Sequence, residues 1–226
     1  MRAKVFFIPL TALVLAALAC GGGSGGGNIL PSPTPKPAGP QALFKDDFSD
    51  SGSGWSTGDS ENSSADYENG EFVIKVKTDK LSAWSNPDQN SLSNIHIEVT
   101  ARSVGKAQDA AFGIICNYQD NQNFYRLGIG SDGYYAIEKK VDGESTIFTN
   151  DENKWVSSDE IAQNADAYKL GADCGRGKLT LYVDGKQIAS VSDSTYTKGD
   201  VGLFGLTFDN AGAEIRFDNF LATALK

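Results

Sequence analysis

One histidine, one methionine and three cysteines in 226 residues exclude whole classes of site before any pattern is read. A lone His96 rules out a multi-histidine metal centre. With Cys20 near the N-terminus, only Cys116 and Cys174 remain in the body, too few for a Cys₄-type zinc site. Proline is scarce beyond residue 40, where only Pro87 occurs, and no acidic residue precedes Asp46. From residue 43 onward 17 basic side chains stand against 29 acidic ones, a balance of −12. Such a surface repels phosphates, which excludes electrostatic binding to nucleic acid or to an anionic membrane surface.

Arg2 and Lys4 precede an apolar run over residues 5–19, broken only by Pro9 and Thr11. This is the layout of a secretory signal, too short to span a bilayer comfortably. The run ends Leu15-Ala16-Ala17-Leu18-Ala19-Cys20-Gly21, which resembles the bacterial lipoprotein processing box, although Ala17 stands where that box usually has leucine. The resemblance implies that Cys20 becomes an acylated N-terminus at the extracytoplasmic face of a bacterial membrane. Its acyl chains, at ~0.8 kcal/mol per buried methylene, anchor a protein without a spanning helix. Six glycines between 21 and 27 and five prolines between 31 and 40 follow. The first stretch is a flexible coil and the second a stiffer spacer, and neither buries enough apolar surface to fold. The expected organisation is a signal over 1–19, a lipid-anchored linker over 20–41 and a folded domain over 42–226.

The body alternates with period two. Phe72, Ile74 and Val76 alternate with Val73, Lys75 and Lys77; Ile95, Ile97, Val99 and Ala101 alternate with His96, Glu98, Thr100 and Arg102. Runs near 112–116, 124–129, 134–141, 168–174, 179–183, 188–191, 201–208 and 213–222 read as further strands. Asp142-Gly143 and Asp184-Gly185 between such runs are strong hairpin signals. Residues 157–167 leave room for a short helix and read equally well as loop. More than ten short strands predict an all-β fold, a two-sheet antiparallel sandwich of jelly-roll type. Trp55 and Trp155 carry no specific reading beyond one in the core and one in a loop.

FGIICNY at 112–118, NFYRLGI at 123–129, DGYYAIEK at 132–139, LTLYVDG at 179–185, VGLF at 201–204 and FDNF at 217–220 come in an order that resembles the concanavalin A-like (laminin G-like) jelly rolls. Among these the chain is most similar to lipoprotein members and to the 3-keto-disaccharide hydrolase-type domain. This fold hosts lectins, glycanases, adhesion modules and spacers, so the resemblance specifies the fold better than the activity. Its glycanases carry carboxylates at i, i+2 and i+4 on one strand of the concave sheet. Two such groups flank the glycosidic bond, ~5–5.5 Å apart for retention or ~6.5–9.5 Å for inversion. The matching strand here offers Phe124, Arg126 and Gly128, and Glu-x-Asp-x-Glu occurs nowhere.

The candidate ligand-binding residues are therefore polar-face residues. His96, Glu98, Thr100 and Arg102 share one strand face, and Asn117, Arg126, Tyr134 and Glu138 are expected to point the same way from neighbouring strands. Guanidinium, amide and carboxylate groups bond sugar hydroxyls, and Tyr134 or Trp84 stacks on a pyranose. The alternative is a solvated face with cross-strand ion pairs. Glu98 and Glu138 form an acid/base pair only if they lie within the distances above. The resemblance also implies a structural Ca²⁺ on Asp46 or Asp47, the Gly70 carbonyl and Asp218, hard oxygen ligands of the kind Ca²⁺ requires. Cys116 and Cys174, on two expected strands of an exported chain, are expected to pair, closing a long loop. Gly128, Gly130 and Gly133 spell G-x-G-x-x-G, but a strand follows instead of a helix, so the run reads as a hairpin turn. Three functions follow: a non-catalytic module for a glycan or cell-envelope polymer, a hydrolase of a sugar derivative centred on His96, Glu98 and Glu138, or a structural envelope domain.

Overall fold

The structure, a computed structural model, describes residues 41–89, 91–105 and 110–225. The expected signal, Cys20 and the linker up to residue 40 lie outside the described residues. Within them the chain forms sixteen strands in order: β1 (Ala42–Asp46), β2 (Gly58–Asp59), β3 (Ser63–Glu68), β4 (Glu71–Val76), β5 (Ser82–Ser85), β6 (Ile95–Val104), β7 (Ala111–Asp120) and β8 (Asn123–Gly130). There follow β9 (Tyr134–Val141), β10 (Glu144–Ile147), β11 (Val156–Ser157), β12 (Tyr168–Gly175), β13 (Lys178–Val183), β14 (Lys186–Ser192), β15 (Asp200–Leu206) and β16 (Ala213–Ala224). No described helix is long and apolar enough to cross a membrane.

The strands form two antiparallel sheets. One runs β14-β13-β12-β6-β16-β4-β3-β2 with β1 added to β16; the other runs β10-β9-β8-β7-β15-β5 with β11 added to β9. The alternation explains the layering. Ile95, Ile97, Val99 and Ala101 of β6 and Phe112, Ile114 and Cys116 of β7 are buried in one common core, with Phe72, Ile74, Ile215 and Phe217 from β4 and β16. Their alternating neighbours face outward. Trp55 belongs to this core, packed at 5.4 Å and 5.2 Å from Phe72 and Phe220, and its indole N–H donates to Asp46 at 2.9 Å.

Four hairpins turn through two residues that both have positive φ: Asn69-Gly70, Asp142-Gly143, Arg176-Gly177 and Asp184-Gly185. That backbone twist matches the twist of the flanking strands, which is why Asn or Asp followed by Gly recurs. Residues 157–167 form no helix. After β11 pairs with β9, the segment is a loop held by buried Ile161 and by the Tyr168 hydroxyl, which donates to the Ala162 carbonyl at 2.7 Å and accepts from the Ala165 N–H at 3.1 Å.

Cys116 and Cys174 are bonded, joining β7 of one sheet to β12 of the other across 58 residues of sequence. Closing a loop of that length restricts the unfolded chain by about 4 kcal/mol in the chain-entropy picture. A second tie joins β8 and β9 to the segment after β14. Asp193 accepts from the Tyr125 hydroxyl, from the Lys139 ammonium at 2.6 Å and from the Thr195 N–H at 2.8 Å. Burial pushes its carboxyl up, but the Lys139, Tyr125 and Thr195 donors outweigh burial and hold it well below the usual carboxylate range.

A carboxylate with a depressed folded-state value contributes stability that is complete above its unfolded value of about 3.9 and is lost as pH falls below it. Urea midpoints measured from neutral pH into strong acid should therefore fall below about pH 4 in the parent. Asp193→Asn should start less stable at neutral pH and lose less over the same acid range. Parallel curves for the two proteins would refute the assignment.

Candidate functional site

A two-layer sandwich leaves two outer faces, and the expected patch is divided between them. His96, Glu98 and Arg102 lie on β6 in the nine-stranded sheet, whereas Trp84, Arg126, Tyr134 and Glu138 lie on β5, β8 and β9 of the other. The single polar patch is thus corrected to two sites on opposite sides of the core. The expectation failed because strands adjacent in sequence, β6 and β7, belong to different sheets.

On the outer face of the seven-stranded sheet, one rung of paired residues reads Trp84, Phe204, Gly113, Gly128 and Ala136. The Phe204 ring lies over Gly128, where a Cβ would meet it at 2.5 Å. The next rung pairs Ile115 with Arg126 and Arg126 with Glu138. Arg126 donates to Glu138 at 2.5 Å and to the Ser82 hydroxyl at 2.7 Å, and its guanidinium sits 5.3 Å from the Phe204 centroid. The side chains of Arg126 and Glu138 are only 11% and 7% exposed. Trp84 and Phe124 meet at 5.6 Å, Tyr118 stacks on Phe124 at 5.6 Å, and the Lys140 ammonium lies 5.3 Å from the Trp84 centroid. The middle of this face is filled by its own side chains.

An opening remains at one end of the same face. Tyr134, Trp155, Phe208, Asp132 and Gly130 line a cavity of about 180 Å³. Trp155 and Phe208 stand edge to face at 5.6 Å, and Tyr134 is 43% exposed. The Asp132 carboxylate turns back toward Gly130, where a Cβ would collide with it at 2.3 Å, so glycine is what lets the carboxylate reach the rim. Two planar rings, a phenol and a carboxylate around a shallow hollow suit a ring with an apolar face and polar edges. Trp155 and Asp132 were missed in the sequence because they sit on loops and turns, where alternation carries no signal; Phe208, expected at the end of a strand, lies just past Leu206, where β15 stops.

The outer face of the nine-stranded sheet is charged. Arg102 makes a two-point pair with Glu71 at 2.9 and 2.7 Å; Arg216 reaches Glu71, Glu68 and Glu214 at 3.2, 2.9 and 2.5 Å. Burial pushes Glu71 up, but the Arg102 and Arg216 guanidiniums outweigh it and hold the carboxyl below the usual range. Arg102 is thereby a rung of a cross-strand ion-pair ladder. Farther along, His96 Nδ1 lies 2.6 Å from Asp173, and the Tyr182 hydroxyl donates to the same carboxylate at 2.8 Å. Glu98 lies 3.7 Å from His96 Nε2 and 2.8 Å from the Lys169 ammonium. Asp173, Lys169 and Tyr182 come from β12 and β13, more than seventy residues away from His96 in sequence.

Other expectations are corrected locally. Asn117 sits in a bulge of β7 with φ of 50° and is 2% exposed, donating to the Tyr196 carbonyl at 2.9 Å; it is a loop anchor, not a surface ligand group. The His96, Glu98 and Glu138 convergence that a hydrolase requires is not assembled, since Glu138 lies across the core on the other sheet. The calcium set also finds no support. Asp46 accepts from Phe48 N–H, the Ser53 hydroxyl and the Trp55 indole, and Asp47 from Ser49. Both Asp46 oxygens are taken by the protein's own donors, Asp47 accepts on one oxygen, and among the described residues no group of three His, Cys, Asp or Glu side chains is placed to hold a metal. Gly70 serves the hairpin turn between β3 and β4, and Asp218 is half-buried on β16.

No protein-family model and no curated protein matches this sequence. Solved structures do. A carbohydrate-binding module, CBM66 from Bacillus subtilis, aligns with TM-score 0.59 at 17% identity, covering 76% of this chain and 96% of its own. A β-glucanase from Bacillus licheniformis aligns with TM-score 0.58 at 11% identity, covering 84% and 100%. A Bacillus subtilis protein of unknown function with a galectin-like fold gives TM-score 0.60 at 10% identity, covering 80% and 95%. The fold is thus a concanavalin A-like jelly roll, as the order of the strand motifs implied.

The Arg126–Glu138 pair yields a test that separates structure from binding. Removing one partner of a buried pair leaves an uncompensated charge and costs about 3–5 kcal/mol. Arg126→Ala should lower stability by that order in urea denaturation, and Arg126→Met with Glu138→Leu together should recover most of it. A double variant as unstable as the single one would contradict this account.

Proposed function

We propose that this chain is an exported, lipid-tethered module that recognises glycans without cleaving them. The aromatic hollow of Tyr134, Trp155 and Phe208 with the Asp132 carboxylate at its rim carries the reading. Sugar rings present an apolar C–H face to an aromatic plane and hydroxyls to a carboxylate, so this group of side chains suits them. The names of the solved neighbours, a carbohydrate-binding module and a β-glucanase, point to the same ligand class. Two carboxylates on that outer face are engaged. Glu138 is held by Arg126, and Asp200 accepts from the Gln89 and Val201 N–H groups at 2.8 and 2.7 Å. Neither stands ready as the flanking acid or nucleophile that glycoside cleavage needs. The tether is supported by the charged-apolar segment before Cys20 and the glycine-proline spacer after it.

Two measurements test this reading. On a glycan array the chain should bind a defined set of saccharides, and Trp155→Ala should weaken that binding about thirtyfold, the effect of losing a central aromatic anchor. Undiminished binding by Trp155→Ala would move the site elsewhere, and no binding by the parent would favour a structural envelope domain. In a bacterial host fed labelled palmitate, the chain should take up label and Cys20→Ser should not. Equal labelling of both would remove the anchor.

A further inference from the structure

The cavity over Gly171, on the opposite outer face from the aromatic hollow, has chemistry of its own. It measures about 290 Å³, with His96, Glu98, Lys169, Asp173 and Tyr182 as its polar walls. Register explains the opening. Gly171 pairs with Glu98 on one side and Tyr182 on the other, so the rung has a side chain at each edge and none in the middle. A Cβ at 171 would approach the Tyr182 Cβ to 3.1 Å and His96 Cε1 to 3.7 Å, so any larger residue fills the space.

The walls present mostly acceptors. Asp173 takes the Tyr182 hydroxyl on one oxygen and lies 2.6 Å from His96 Nδ1 on the other. With the proton on Nδ1, the bond to Asp173 fixes the ring and turns the Nε2 lone pair toward Glu98. An unprotonated Nε2 and the Glu98 carboxylate, 3.7 Å apart, make two acceptors spaced for a single donor group between them. Glu98 is ionised: burial pushes it up, but the Lys169 ammonium outweighs burial and holds it below its usual range. The Tyr182 ring stands edge to face with His96 at 6.0 Å and walls the cavity. Two carboxylates stand against one ammonium in the pocket, within a body of −12.

We infer that this pocket receives a primary ammonium group of a small ligand, bonded by Glu98 and His96 Nε2 beside the Tyr182 ring. An ionised carboxylate, an imidazole nitrogen and an aromatic wall are together an acceptor-rich environment of the kind an ammonium prefers. Lys169 shows the preference from within: its own ammonium already rests on Glu98 at 2.8 Å while its side chain stays 56% exposed. It is an internal occupant on a flexible stem, displaceable by a ligand that adds contacts to Nε2 and Tyr182. The inference is independent of the glycan reading, since the two cavities share no residue.

His96 is the only histidine, so its imidazole gives one unassigned-by-ambiguity set of NMR signals in the full chain. Ethanolamine, added at neutral pH and physiological salt, should shift those signals saturably in the millimolar range. Ethylene glycol, which replaces the ammonium by a hydroxyl, should not. Glu98→Gln should weaken the ethanolamine effect about tenfold, the scale of one hydrogen bond to a charged group. Lys169→Gln, which removes the internal competitor, should strengthen it, and Trp155→Ala should leave it unchanged. Gly171→Val should abolish it, with thermal melting as the check on folding; Glu98→Gln and Lys169→Gln keep the test sharp if that variant fails to fold. An absent or non-saturating shift, an equal response to ethylene glycol, or an unaltered response in Glu98→Gln would each overturn the inference.

Discussion

A two-layer sandwich has one shared interior, and every other feature of this molecule follows from that constraint. Each strand gives alternate side chains to the common core, and what remains must belong to one outer face or the other. Groups on opposite outer faces are separated by the whole apolar layer, so no chemistry can combine them. This is why Glu138 cannot cooperate with His96 and Glu98, although all three are outward-facing polar residues. Among the described residues the Cys116–Cys174 bond is the covalent link through that layer, tying β7 to β12.

The outer faces differ in how they handle charge. On the nine-stranded sheet, Arg102, Arg216, Glu68, Glu71 and Glu214 form a ladder near water. Pairs of this kind contribute at most about 1 kcal/mol each, and the ladder mainly keeps that face soluble. On the seven-stranded sheet the Arg126–Glu138 pair is enclosed by Phe204 and Ser82. Enclosure makes desolvation comparable with attraction, so the pair is worth keeping for the geometry it fixes more than for its energy. It spans the middle of a face otherwise covered by Trp84, Phe124, Phe204 and Ile115, while the end beyond Gly130 stays open.

Legibility in the sequence tracked physical cause closely. Strands with strong alternation, such as β4, β6 and β8, were readable because burial of one face imposes period two. The polar β3, the short β5 and β1 were not, because their pairing is set by the neighbouring strand and their residues (Ser63 to Glu68, for instance) carry no apolar rhythm of their own. Asp142-Gly143 and Asp184-Gly185 announced their turns through backbone conformation alone. Site geometry was far less readable. His96 and Glu98 are two apart on one strand, so their shared face was evident, but Asp173, Lys169 and Tyr182 reach them only through sheet order. The aromatic hollow was half visible in Tyr134 and hidden in Trp155, whose loop position obeys no periodicity, and in Phe208, which continues the alternation of β15 past its end at Leu206.

The state of the carboxylates bears on catalysis. A glycosidase acid must hold its proton near neutral pH, which requires an environment that raises its value. The environment works the other way at Glu68, Glu71, Glu98 and Asp193, where neighbouring cations and hydroxyls hold the charged form. Asp200 is the exception, pushed up by burial, but it is almost fully enclosed and one of its oxygens caps two backbone N–H groups. A proton held there cannot reach a substrate without dismantling the strand end it supports. At each of these sites the carboxylate is held by a cation, a hydroxyl or a backbone donor.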